Sequence, residues 1–167
     1  MSIDFLAALS KPLKGNQIEF RVSRKVRGGS FLLAYKDAGA DMNRLDEAVG
    51  PLNWKREHVR DNHNCVVSIW DETKGQWVGK EDTGTESKTD AQKGLASDSF
   101  KRACFNWGIG RELYDYPDIY IKHADNDKIY PKSWVCYNEH DSAGNLTFLA
   151  LKNDKGEVVF RWGERNE

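Results

Sequence analysis

The sequence predicts an α+β fold: an antiparallel β-sheet with one long helix packed across it, plus short helices and a C-terminal β-hairpin. Three observations carry that expectation. Near both ends of the chain, short runs alternate apolar with polar residues, as half-buried strands do. One stretch near the middle spaces its apolar residues by three and four, the helical period. Turn signals at Gly28-Gly29-Ser30 and Asn153-Asp154-Lys155-Gly156 join neighbouring strands of similar length into hairpins.

Taken in order, Ser2–Leu9 reads as a short amphipathic helix, with Ile3, Leu6 and Ala7 on one face and Pro12 and Gly15 beyond its end. Ile18, Phe20, Val22, Arg24 and Val26 then alternate with Glu19, Arg21, Ser23, Lys25 and Arg27, so a strand with a basic outer face is expected. Ser30–Tyr35 returns as its hairpin partner. Asp41–Val49 reads as a helix closed by Gly50-Pro51. Strands follow at Asn53–Arg60, Cys65–Trp70 and Gln76–Lys80.

The best-specified element is a helix over Asp90–Trp107. Thr89 and Gln92 have capping-box spacing, and Gly108 sits where a C-terminal glycine cap belongs. Ala91, Leu95, Ala96, Phe100, Ala103, Cys104 and Trp107 form a continuous apolar stripe. Arg111–Tyr116 adds a helical turn before Pro117. The remainder reads as β, with strands at Asp118–Lys122, Ser133–Asn138, Leu146–Leu151 and Glu157–Trp162. A chain of 167 residues is expected to be a single domain, its core at about 35–117 and a β extension over 118–167.

Composition excludes several classes. The longest apolar run, Phe31–Tyr35, is far short of the roughly 20 residues that a membrane helix needs. Asp4 stands where a secretory signal wants positive charge, so a cytoplasmic protein is expected. Cys65, Cys104 and Cys136 are odd in number and widely spaced, which argues against a disulfide framework and for small core thiols in a reducing compartment. The net charge is −1, but residues 1–40 carry +4 and residues 41–167 carry −5, so any anion-binding surface is local.

Motifs for catalysis are weak. Asp61 with Glu72-Thr73-Lys74 has the residue types of a metal-dependent nuclease, in which two carboxylates hold magnesium and a lysine polarises water. The E-x-K falls on a predicted turn, however, and reads first as a solvated hairpin tip. His58, His63 and Cys65 fit no common metal spacing. Gly75–Lys80 lacks one residue of a phosphate loop and runs into a strand, so no nucleotide cofactor is expected. Cations are more informative. Lys93, Ser97 and Lys101 repeat at i, i+4 on the polar face of the long helix, with Arg102 beside them and Arg111 after the cap. The bland alternative is a solvated face on which Asp98 pairs with Arg102.

The run from Lys93-Gly94-Leu95-Ala96-Ser97-Asp98 through Lys101-Arg102-Ala103 to Trp107-Gly108-Ile109-Gly110-Arg111-Glu112-Leu113-Tyr114 resembles the signature helix of the Rad-fifty-two/Rad-twenty-two strand-annealing family. It is similar in particular to the phage Sak-type single-strand annealing proteins. Ala34–Asp37, Met42–Trp54 and Gly79–Gly84 resemble the family's preceding segments in the same order, so the resemblance covers about Tyr35–Pro117.

The resemblance implies ATP-independent binding of single-stranded DNA and annealing of complementary strands in recombination and repair, without a catalytic centre. It also implies a homo-oligomer, ring or filament, with a single-strand-binding protein as a further candidate partner and a bacterial host cell if the chain is phage-encoded. Lys101 and Arg102 fall on the family's lysine–arginine pair in the DNA groove. A family arginine one turn on is here Phe105. Another, expected near Gly39 or Ala40, is absent, and Lys36 or Arg44 stands nearby as a substitute. Lys93, Arg111 and the strand residues Arg21, Lys25 and Arg27 complete the candidate DNA-binding set. A metal-dependent nuclease using Asp61, Glu72 and Lys74 is the alternative.

Overall fold

The computed structural model describes residues 4–86 and 91–165. In chain order its elements are α1 (Asp4–Ser10), β1 (Glu19–Val26), β2 (Gly29–Tyr35), α2 (Ala38–Val49), β3 (Trp54–Val59), β4 (Asn64–Asp71), β5 (Gln76–Thr83), α3 (Ala91–Asn106), β6 (Ile119–Lys122), β7 (Val135–His140), β8 (Leu146–Lys152) and β9 (Val158–Gly163). Ser2, Ile3, Thr89 and Asp90, which figure in the expected helix starts, lie outside the described residues.

The class is α+β with antiparallel pairing throughout, but the strands do not make one sheet. They sort into three three-stranded sheets, β1-β2-β6, β3-β4-β5 and β7-β8-β9. The chain divides into two compact units, one of residues 1–11 and 37–111, the other of residues 12–36 and 112–167. The cause is a long-range pairing that no local pattern announces: β6 returns some ninety residues later to pair antiparallel with β2, Leu32 opposite Ile119.

The first unit holds the three helices and the sheet β3-β4-β5. Its core gathers Leu9, Leu45, Val49, Val67, Ile69, Phe100, Cys104 and Trp107. Central strand β4 is buried along most of its length, while β3 and β5 are largely exposed edges. Helix α2 starts three residues earlier than its apolar spacing implies, because the Asp37 side chain accepts a hydrogen bond from the Ala40 N–H at 2.8 Å. Helix α3 buries Leu95, Phe100, Ala103, Cys104 and Trp107 with the expected phase.

At the end of α3 the Ile109 N–H donates to Cys104 O and the Gly108 N–H to Phe105 O, a Schellman closure. Gly108 has φ +94°, and an added Cβ would lie 3.2 Å from the Ser10 side chain. Gly108→Ala is therefore expected to lower stability by about 1 kcal/mol, read as a shifted urea midpoint with an unchanged slope.

The second unit packs β1-β2-β6 and β7-β8-β9 around Leu13, Ile18, Phe20, Leu32, Ile119, Ile121, Leu149 and Leu151. The three cysteines are buried thiols. Burial pushes the thiol of Cys65 up to about 11 and that of Cys136 to about 12, which favours the neutral thiol at both packing positions. Among the described residues no helix is long and apolar enough to cross a membrane.

Candidate nucleic-acid interface

The polar face of α3 follows from its apolar one. With Phe100 and Cys104 turned into the core, Lys101 and Arg102 come to the border of the helix, each half-buried, and Lys93 is exposed. Phe100 is itself held from β3, where the Trp54 ring stacks at 6.2 Å and the Arg56 guanidinium lies 4.6 Å from its centroid. Trp107, about two turns later, donates its indole N–H to Val67 O on β4 at 2.8 Å. These contacts fix the rotation of the helix, and hence where its cations point.

Strand β5 supplies the rest of the border. The Arg102 Nε lies 3.3 Å from Asp82 Oδ1, and its side chain keeps 42% exposure. The Asn106 amide donates to Glu81 O and to Asp82 Oδ2. The Lys80 ammonium donates to Asn106 O at 2.9 Å and sits 4.8 Å from the Trp107 ring centroid. One carboxylate thus steadies a partly exposed guanidinium, and Lys80 stands on the strand that supplies that carboxylate. Such an arrangement can hold phosphate oxygens without reading a base.

The Asp98–Arg102 pair expected from spacing does not form. Asp98 instead accepts from the Thr85 N–H at 2.8 Å and from its hydroxyl at 3.1 Å. The competing partners lie on β5 and the segment after it, which helix spacing alone does not reveal. Lys80 and Arg56 were missed for the same reason: each is an ordinary strand cation until the sheet sets it beside α3.

The other predicted cations divide. Arg111 is exposed, but its guanidinium donates to Phe105 O and Asn106 O and so caps the C-terminus of α3. Arg44 is 5% exposed and donates to the carbonyls of Ala8, Leu9 and Lys11, at the end of α1. Lys36 is 1% exposed. Neither Arg44 nor Lys36 therefore presents a charge to solvent in place of the family arginine.

On β1 the predicted face is re-sorted. A bulge between Val22 and Arg24 shifts the register by one, so Arg24 joins Arg21 on the outer face and Lys25 moves to the row of Ser30. Lys25 there donates to Asp125 O at 2.7 Å. Arg24 stacks 4.7 Å from the Phe31 centroid and Arg21 5.8 Å from that of Tyr35, with Tyr120 of β6 against Phe31 at 5.3 Å. Arg27 is exposed beyond the strand. The strict alternation that put Arg24 inward cannot register an inserted residue.

Asp61 and the pair Glu72 and Lys74 occupy opposite ends of β4, a strand of eight residues, or roughly 26 Å at 3.3 Å per residue. Asp61 lies in a turn where Arg60, Asp61 and Asn62 all take positive φ, held by Ser99 Oγ donating to Asn62 O at 3.1 Å. Lys74 pairs with Asp71 at 3.5 Å. Two carboxylates so far apart cannot share one magnesium ion. His58 stands opposite Cys65 across the β3–β4 ladder, while the His63 ring contacts Arg60 O. Among the described residues no three His, Cys, Asp or Glu side chains gather as a metal site requires.

Over residues 4–132 the chain matches the family described as Rad52/22 family double-strand break repair protein. Single-stranded DNA-binding protein DdrA of Deinococcus radiodurans is 39% identical over 93 residues, 54% of this chain and 44% of that protein. The protein of the same name in Deinococcus deserti is 29% identical over 140 residues, 81% of this chain and 62% of that protein. The chain spans about half the length of the curated relatives it matches. Both bear the name of a DNA-binding protein rather than of an enzyme. No solved structure matches the chain significantly.

Proposed function

The chain belongs to the Rad52/22 family of double-strand break repair proteins, and from that premise we propose that it binds single-stranded DNA and anneals complementary strands without ATP. The observation that carries the reading is the border of α3, where Lys101 and Arg102 follow the buried Phe100, both half-buried, and Asp82 holds the guanidinium. Annealing breaks no covalent bond. It asks a protein to neutralise phosphates, extend the backbone and leave base edges free, and backbone-directed cations do that. The names of the two relatives support the same substrate. The reading extends to a homo-oligomer, ring or filament, acting in recombination as the phage Sak-type proteins do. Three-stranded sheets with exposed edges such as β3 and β5 give such an assembly strands to cover.

The test is a salt titration of binding to a labelled oligothymidylate, with and without ATP. Three phosphate contacts at about 0.7 each give a logarithmic slope near −2, so affinity is expected to fall roughly twentyfold from about 50 to 200 mM salt. ATP is expected to change nothing. A flat salt response would overturn phosphate contact as the mechanism. Light scattering of the same samples is expected to show a particle several protomers in mass, and a monomer with DNA present would overturn the assembly.

A further inference from the structure

The sheet β7-β8-β9 lies beyond residues 4–132, the segment that matches the family. One of its faces closes the core of its unit through Leu149 and Leu151. The other face is built in rows. Tyr137, Ala150 and Arg161 stand side by side across the three strands, and the next row places Lys152 between Val135 and Val158. Ala150 is the small residue at the centre, so the ring of Tyr137 and the guanidinium of Arg161 flank a concavity of about 250 Å³ floored by Phe148 and Ala150.

The charges on this face are stacked on rings. Lys152 Nζ lies 5.3 Å from the Tyr137 centroid, and Arg161 Cζ lies 5.4 Å from that of Phe148. Among the described residues no carboxylate pairs with either cation, whereas neighbouring Arg165 is held by Glu139 at 3.0 Å. Tyr137 is 44% exposed.

We propose that this face is a second contact for single-stranded DNA, taking one base against Tyr137 over Ala150 and the flanking phosphates on Lys152 and Arg161. The inference shares its substrate class with the function proposed above but rests on different residues. An aromatic ring interleaved with cations on an open strand surface is the arrangement that stacks a base and tracks its backbone without sequence preference. The concavity is smaller than the roughly 300 Å³ at which small-molecule pockets begin, which suits one planar base at an open surface. Its charge is cationic, matching a phosphate backbone.

The experiment compares three full-length proteins on a labelled oligothymidylate: the parent, Tyr137→Ala/Arg161→Gln, and Lys101→Ala/Arg102→Ala. The sheet variant is expected to bind about tenfold more weakly, with a shallower salt slope and an unchanged melting curve. A 5-iodouracil oligonucleotide irradiated on the parent is expected to mark the peptide that contains Tyr137. Parent-like binding by the sheet variant, with loss in the helix variant, would overturn this inference and leave the α3 assignment standing. Loss in the sheet variant alone would do the reverse. Absence of binding by the parent would overturn both. A changed particle mass with unchanged DNA affinity would make the face a contact between copies and overturn the inference. Should the sheet variant melt early, the cross-link on the parent decides: an adduct at Tyr137 upholds the site, and none overturns it.

Discussion

Phe100→Ala is expected to cost about 3–5 kcal/mol of stability, while Lys101→Ala and Arg102→Ala, its immediate neighbours, leave stability nearly unchanged and weaken DNA binding. Phe100 is fully buried, with Trp54 stacked on it and Arg56 over its ring. Truncation removes the ring, leaves a cavity between α3 and β3, and forfeits the ring contacts as well. At 2–4 °C per kcal/mol for a chain of this size, the melting temperature is expected to drop by about 10 °C. Arg102, by contrast, is half-exposed and loses one pair with Asp82, worth at most about 1 kcal/mol after solvent screening. Asp82 is not orphaned, since the Asn106 amide and the Thr83 N–H still reach it. Alanine at 101 or 102 also keeps helix propensity favourable. Thermal unfolding and oligothymidylate binding on all three variants are the measurements. Parent-like DNA binding by both charge variants would reduce Lys101 and Arg102 to a solvated helix face. The site would then be sought first on the outer face of β1-β2-β6, where Arg21 and Arg24 stack on Tyr35 and Phe31.

How much of this was legible depended on the range of the interaction. The phase of α3 was readable, because burial of Leu95, Phe100, Cys104 and Trp107 repeats at a fixed angular step. The Gly108 cap was readable as well, since a positive φ selects the residue type. The strands were found to within one or two residues, apart from β5, which continues to Thr83. Pairing was not legible. That β2 lies beside β6 depends on complementary surfaces some ninety residues apart, so one expected sheet became three. The bulge after Val22 was invisible for a simpler reason: Arg24 and Lys25 exchange faces when one residue is inserted, and both are cations. At the candidate site, the sequence placed Lys101 and Arg102 on the helix border but could not supply Asp82, Lys80 or Arg56, whose roles exist only once β3 and β5 flank α3.

Arg44 shows the cost of reading a cation by its charge alone, and it carries the second large effect. Arg44→Ala is expected to destabilise the protein by about 3 kcal/mol and to leave DNA affinity per folded molecule unchanged. A helix leaves its last carbonyls without intrahelical donors, and α1, only seven residues long, has no basic residue in its own last turn. Arg44, reaching from α2, donates to Ala8 O and Leu9 O at 3.2 Å each and to Lys11 O as well. Truncation leaves three acceptors without that donor, one of them in a fully buried bond, at roughly 1–3 kcal/mol for an unsatisfied group that water cannot reach. It also opens space beside Leu9 and Leu45, both fully buried. Arg44→Lys is expected to rescue little, because an ammonium cannot reproduce the planar fork that spans neighbouring carbonyls. Urea denaturation of both variants, with DNA binding measured well below the transition, separates the two roles. A stable Arg44→Ala protein that no longer binds DNA would restore Arg44 to the interface and remove it from the α1 cap.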